Sequence, residues 1–176
     1  MKKAVFLDRD GVLNRAYLRE GKPHPPDSID QLQVFDGVRE SLVRLRAAGF
    51  MLIVVTNQPD VARGKQSRQT VNSFHQALRQ TFRLPVDEFR VCYDDDADDC
   101  SCRKPKPGML MDAAREHSLD LAESYMVGDR WRDIAAGKQA GCKTVFIDHC
   151  YSEDVPLSPD VQVKSLSEAT EWILCR

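Results

Sequence analysis

The feature that most constrains this chain is a short apolar run, Ala4-Val5-Phe6-Leu7, that ends at once in Asp8-Arg9-Asp10-Gly11. Apolar residues without polar alternation are expected to form a strand buried on both faces, which is the habit of parallel sheets. Carboxylates at i and i+2 of extended backbone face the same side, so Asp8 and Asp10 are expected to address one pocket while Gly11 turns the chain away. Two like charges held together need a cation or a proton between them. Bound Mg2+ would keep one carboxylate ionised as a nucleophile and leave the other to shuttle a proton. An Asp-Gly turn after a strand would use the same residues, so the reading depends on what else the chain brings to this edge.

Further along, the pattern alternates. Met51 to Val55 is a second apolar strand and ends in Thr56-Asn57-Gln58; Tyr125 to Val127 is another and ends in Gly128-Asp129-Arg130. Val86 to Tyr93 and Thr144 to Ile147 complete five expected strands. Between them, helical spacing of apolar residues predicts helices over Asp36 to Ala48, Gln66 to Phe82, Pro107 to His117, Trp131 to Ala140 and Ser167 to Leu174. Asp36 and Ser167 are the expected N-caps, Gly49 and Gly141 the expected stops, and Pro107 is expected in a first turn. Arg15 to Gln33, with Gly21, Pro23, Pro25 and Pro26, is too rich in breakers for a long element and is expected to be a loop or small flap, about 15–35, over the site. Tyr151 to Asp160 is expected to be a loop. This alternation implies an α/β fold: an open, doubly wound, mainly parallel sheet with helices on both faces and at most a minimal cap. In such folds ligands bind beyond the carboxyl ends of the strands, and three of the expected strands end there in polar groups.

A chain of 176 residues suits a single domain over 1–176. Its net charge of −2 and 30% charged content give no global basic field for nucleic acid or membrane. No stretch reads as a signal peptide or membrane span. The expectation is a cytoplasmic monomer without nucleic-acid or membrane partners. Three of six cysteines fall between Cys92 and Cys102, where metal binding is the expected use, whereas Cys142, Cys150 and Cys175 lie apart.

Asp8-Arg9-Asp10-Gly11, Val55-Thr56-Asn57, Lys104 and Gly128-Asp129-Arg130-x-x-Asp133 occur in the order found in haloacid dehalogenase-type phosphohydrolases, which the chain resembles. The resemblance implies that Asp8 attacks phosphorus, that Asp10 is the acid and base, and that Thr56 and Lys104 hold the phosphoryl oxygens. It places Mg2+ on Asp8, the backbone carbonyl of Asp10, and Asp129. Asp133, one helical turn beyond Asp129, either orients the metal shell or Arg130 or is a solvated helix residue.

Val54-Val55-Thr56-Asn57-Gln58-x-x-x-Ala62-Arg63-Gly64 and Cys102-Arg103-Lys104-Pro105-x-Pro107-Gly108-Met109 resemble the bacterial heptose 1,7-bisphosphate phosphatases, which implies a phosphorylated sugar as substrate. Asn57, Gln58, Arg63, Arg103 and Arg130 are then the expected substrate-binding residues, with arginines suited to a second phosphate. Related histidinol-phosphate phosphatases share the aspartates and the cysteine loop, so another small phosphomonoester stays open, as, more remotely, does a non-catalytic metal-loop module. The same resemblance implies structural Zn2+ on Cys92, Asp94, Cys100 and Cys102, with Asp94 standing where the related enzymes carry histidine. Asp95, Asp96, Asp98 or Asp99 could supply the oxygen instead.

Overall fold

The computed structural model describes residues 2–155 and 158–176. In chain order the elements are β1 (Lys3–Leu7), β2 (Tyr17–Arg19), β3 (Lys22–His24), α1 (Val38–Ala47), β4 (Phe50–Asn57), α2 (Arg68–Gln80), β5 (Glu88–Cys92), α3 (Gly108–His117), β6 (Tyr125–Gly128), α4 (Trp131–Ala140), β7 (Lys143–Ile147), β8 (Val161–Val163) and α5 (Leu166–Leu174). Six strands form one sheet in the order β5-β4-β1-β6-β7-β8, and every pairing in it is parallel. Strand order reverses beside β1, so the crevice at the carboxyl ends of β4, β1 and β6 is where such a sheet receives a ligand.

The pleat sorts the apolar residues onto the two faces. Val5 and Leu7 of β1 join Leu52 and Val54 of β4 in a core covered by α1, α2 and α5, through Leu42, Phe74 and Ile173 among others. Ala4 and Phe6 join Ile53 and Val55 on the other face, under Met109, Leu110 and Ala113 of α3 and Ala136 of α4. Burial on both sides is why these strands are continuously apolar.

Several boundaries differ from expectation. The sheet has a sixth strand, β8, missed because it is a three-residue edge strand with one polar residue; its register is fixed against β7, helped by Asp160 Oδ2, which accepts from Thr144 N and Thr144 Oγ1, both at 2.7 Å. Asp36 does not cap α1; Gly37 does, in the left-handed region. Ser167 lies inside α5, whose cap is Ser165, accepting from Glu168 N. Pro107 is the cap residue of α3 rather than part of its first turn. The flap is not bare loop: β2 and β3 form an antiparallel hairpin within it, and Pro23 is tolerated because a two-stranded hairpin is all edge.

Candidate active site

Asp8 follows directly on β1, and its backbone N–H donates to Val127 O of β6 at 3.0 Å. The Lys104 ammonium donates to Asp8 Oδ1 at 2.7 Å and to Val55 O at 2.7 Å, and lies 2.6 Å from Asp133 Oδ1. Burial works against the Lys104 charge, but Asp133 and Asp8 outweigh it and hold its pKa above the ordinary value. Burial likewise pushes Asp8 up to about 6, opposed by Lys104 and reinforced by Asp133 and Asp10. Asp133 also accepts from Arg130 N at 3.0 Å, so it is a buried strut of the site, not a solvated helix residue.

Asp129, at the end of β6, is buried, and among the described residues neither of its carboxylate oxygens makes a hydrogen bond of normal geometry. Its pKa is raised well above the carboxylate range by burial first and then by the charges of Asp8 and Asp133, opposed by the nearby Tyr151 hydroxyl and the Arg130 charge. A buried carboxylate so weakly compensated is costly. Ligand oxygens of Asp8, Asp129 and Asp133 lie within 4.8 Å of one another, and Gly11 keeps the approach open: at φ 91°, a Cβ there would sit 1.8 Å from Asp129 Oδ2. Because both Asp133 oxygens are engaged, by Lys104 and by Arg130 N, whereas Lys104 takes only Oδ1 of Asp8, Asp129 and the remaining oxygen of Asp8 are the ones open to a hard dication, for which oxygen donors fit.

Asp10 lines the same cavity as Asp8, as expected. Its carboxylate accepts from Asn14 Nδ2 at 2.9 Å and Gln58 Nε2 at 3.0 Å, and from the Arg9 guanidinium. Asn57 and Gln58, expected to bind substrate, line that cavity as well, and their amides are also hydrogen-bonded within the protein. Gln58 is buried, its amide donating to Asp10 and to Thr56 Oγ1; Asn57 clasps the backbone of Lys104, donating to its carbonyl at 3.0 Å and accepting from its N–H at 3.1 Å.

Above this floor opens a cavity of about 580 Å³, lined by Asp8, Asp10, Thr56, Lys104 and a rim of mixed charge in which Arg63, Arg103 and Arg130 stand among Asp60, Asp96, Glu153 and Asp154. Sequence reasoning missed Lys22 and His24 of the flap hairpin and Arg132 of α4, which share that lining; no motif marks them, since the flap and the helix bring them there. The rim arginines are paired with carboxylates: Arg63 with Asp95 at 2.7 Å, Arg130 with Glu153 at 2.8 Å, and both Arg103 and Arg132 with Asp96 at 2.9 Å. The Arg103 hydrogen bond, aided by Arg132, holds the Asp96 carboxyl down to about 2.

Beside the rim, ligand atoms of Cys92, Asp94, Cys100 and Cys102 lie within 4.8 Å of one another. The Cys92 and Cys102 sulfurs are in close contact, with Cys100 Sγ 2.7 Å from Cys102 Sγ and 3.4 Å from Cys92 Sγ. The expected ligand set is therefore assembled, with Asp94 the carboxylate beside the sulfurs.

Comparison with known proteins agrees with this geometry. A family model described as HAD-hydrolase-like matches residues 101–169. The chain is 39% identical over 156 residues to the D-glycero-beta-D-manno-heptose-1,7-bisphosphate 7-phosphatase of Pasteurella multocida, covering 84% of this chain and 82% of that one. It is 31% identical over 177 residues to the Helicobacter pylori protein of that name, covering 97% of each. The crystal structure of the D,D-heptose 1,7-bisphosphate phosphatase from B. bronchiseptica, complexed with magnesium and phosphate, superposes with a TM-score of 0.85 at 30% identity, covering 98% of both chains. With the motif order, the sheet and these relatives in agreement, the chain belongs to the haloacid dehalogenase-like hydrolases, in the family of these heptose bisphosphate phosphatases.

Proposed function

We propose that this hydrolase is a Mg2+-dependent phosphatase that removes the 7-phosphate of D-glycero-D-manno-heptose 1,7-bisphosphate through an aspartyl phosphate, the whole chain acting as one domain. The observation that carries the reading is Asp8 on the cavity floor, ion-paired with Lys104 beside the buried Asp129 carboxylate. The substrate follows from what the relatives act on, and the rim arginines suit a sugar carrying a second phosphate.

In the first step an oxygen of Asp8 attacks phosphorus as the bond to the sugar oxygen breaks, and Asp10 gives that oxygen its proton. Water then attacks the aspartyl phosphate, Asp10 takes its proton back, and Asp8 is released with inorganic phosphate. Lys104 and Thr56 hold the phosphoryl oxygens in line. Mg2+, held by Asp8 and Asp129, would supply charge compensation for the transferring group, the main demand of phosphoryl transfer. Arg103 and Arg63 exchange their carboxylate partners for the distal phosphate.

The cysteine loop serves as a structural zinc site. Three sulfurs and a carboxylate sharing one point are explained by a four-coordinate metal, whereas a disulfide uses only two of them. A reducing cytoplasm, in which we place the protein as a monomer, keeps such thiols available. Among the described residues, no helix is long and apolar enough to cross a membrane.

The test is phosphate release from both anomers of the heptose bisphosphate, fructose 1,6-bisphosphate and histidinol phosphate, with and without Mg2+. The heptose substrate should be preferred, and Asp8→Asn should be inactive while folded. Faster turnover of histidinol phosphate would reassign the substrate, and turnover by folded Asp8→Asn would remove the nucleophile.

A further inference from the structure

Arg9 stands between the two functional aspartates, and its side chain is buried in the protein against the second of them. It is fully buried, the largest side chain among the described residues to be so. A guanidinium is not buried without partners, because desolvation costs several kcal/mol. Its partner is the neighbouring carboxylate. Arg9 Nη2 donates to Asp10 Oδ2 at 2.8 Å, and Nε lies 3.1 and 3.2 Å from the two oxygens.

Behind it, α2 supplies a backstop. The guanidinium carbon lies 5.4 Å from the Phe74 ring centroid, and Nη1 faces His75 Nε2 at 3.4 Å. A guanidinium has no acceptor, so Nε2 must be the accepting nitrogen and His75 neutral. The His75 ring is in turn stacked on Phe89 of β5 at 4.3 Å between centroids. A chain of contacts thus runs from β5 through α2 to the Asp10 carboxylate, to which Asn14 and Gln58 also donate and which still lines the cavity.

We propose that Arg9, braced by Phe74 and His75, is a positioning residue that aims the Asp10 carboxylate at the oxygen of the departing alcohol. The proposal rests on the reading of Asp10 as the acid and base. An aspartate left free to rotate would reach the leaving oxygen only part of the time, and positioned proton transfer is where a general acid gains its effect. The guanidinium fork, unlike an ammonium, fixes the plane of the carboxylate as well as its charge.

The leaving group provides the test. kcat/KM reports the steps up to departure of the alcohol, so it needs Asp10 as an acid for alkyl phosphates and hardly at all for p-nitrophenyl phosphate. Arg9→Met should lose about 100-fold in kcat/KM on an alkyl phosphomonoester and less than about 5-fold on p-nitrophenyl phosphate, within the range that general acids contribute. Arg9→Lys, which keeps the charge without the fork, should show the same tilt at about 10-fold and carries the test if Arg9→Met does not fold. Equal losses on both esters, or none, would overturn the proposal by making Arg9 structural only. Asp10→Asn is measured alongside. If it shows the tilt and the Arg9 variants do not, the positioning role fails alone; if Asp10→Asn itself is flat, the acid/base reading fails and this inference with it.

Discussion

Asp133 and Gly11 show how single residues hold the site. Removing the Asp133 carboxylate leaves the Lys104 ammonium buried with one anion instead of two and strips Arg130 N of its acceptor. Asp133→Ala should therefore cost on the order of 3 kcal/mol, the scale for breaking a buried pair, read as a lower midpoint in denaturant unfolding. Gly11→Ala would drive a methyl into Asp129 and force an L-residue into the left-handed region. Its phosphatase activity should fall by about 100-fold, as displaced catalytic groups do, with Mg2+ affinity weakened in calorimetric titration. A third outcome concerns His75, whose pKa drops from 6.5 to about 3 through burial and then the charge of Arg9. Below its ordinary pKa the unfolded chain takes up a proton that the folded one refuses. His75 therefore subtracts stability progressively as pH falls from about 6.5 toward 3. His75→Gln should flatten that part of the stability profile, measured by thermal melts across pH. At this scale the sequence was legible where chemistry demands a residue type at a strand end, as at Asp8, Asp10, Thr56 and Asp129. It did not show that the amides of Asn57 and Gln58, which line the cavity, are also hydrogen-bonded to Lys104, Asp10 and Thr56.

Elements carry the next layer of the design. The cysteine loop ends at Cys102 and continues at once into Arg103 and Lys104, so whatever fixes the sulfurs fixes the rim arginine and the buried lysine. Zinc stripped with a chelator should lower activity without changing the Mg2+ requirement, and adding zinc back, not more magnesium, should restore it. Metal analysis of untreated protein should find close to one zinc per chain by the proposed ligand set. Absence of zinc from an active enzyme, with the three cysteines accounted for as thiols or a disulfide, would remove the metal from the loop. Helix positions were readable because apolar spacing sets them, while their caps slipped: Ser165 and Ser167 are equally good capping letters, and only the turn of the backbone selects Ser165. The hairpin of β2 and β3 and the edge strand β8 escaped for another reason. Each is three residues long, too short for periodicity to register, and each exists by virtue of what it pairs with.

The molecule as a whole is one sheet between two apolar layers, and β1 serves both. Phe6 is fully buried in the layer beneath α3 and α4, so Phe6→Ala should destabilise by about 3–5 kcal/mol through lost burial and the cavity left behind. Chemical denaturation with matched circular dichroism and fluorescence probes would measure it, and the fall should appear in one cooperative transition. The fold class was legible at this scale since buried parallel strands announce themselves as apolar runs. The position of β1 between β4 and β6 also bears on how the enzyme comes to life on the ribosome. β1 is made first of the strands, acquires β4 as a neighbour later, and meets β6 later still; only then can Asp8 N–H reach Val127 O. A nascent chain that stops short of Gly128 already carries Asp8, the proposed nucleophile, but neither Asp129 nor Asp133. The onset of catalysis during translation would then report closure of the central sheet rather than synthesis of Asp8, and truncated products would be inert toward phosphate esters in the cell.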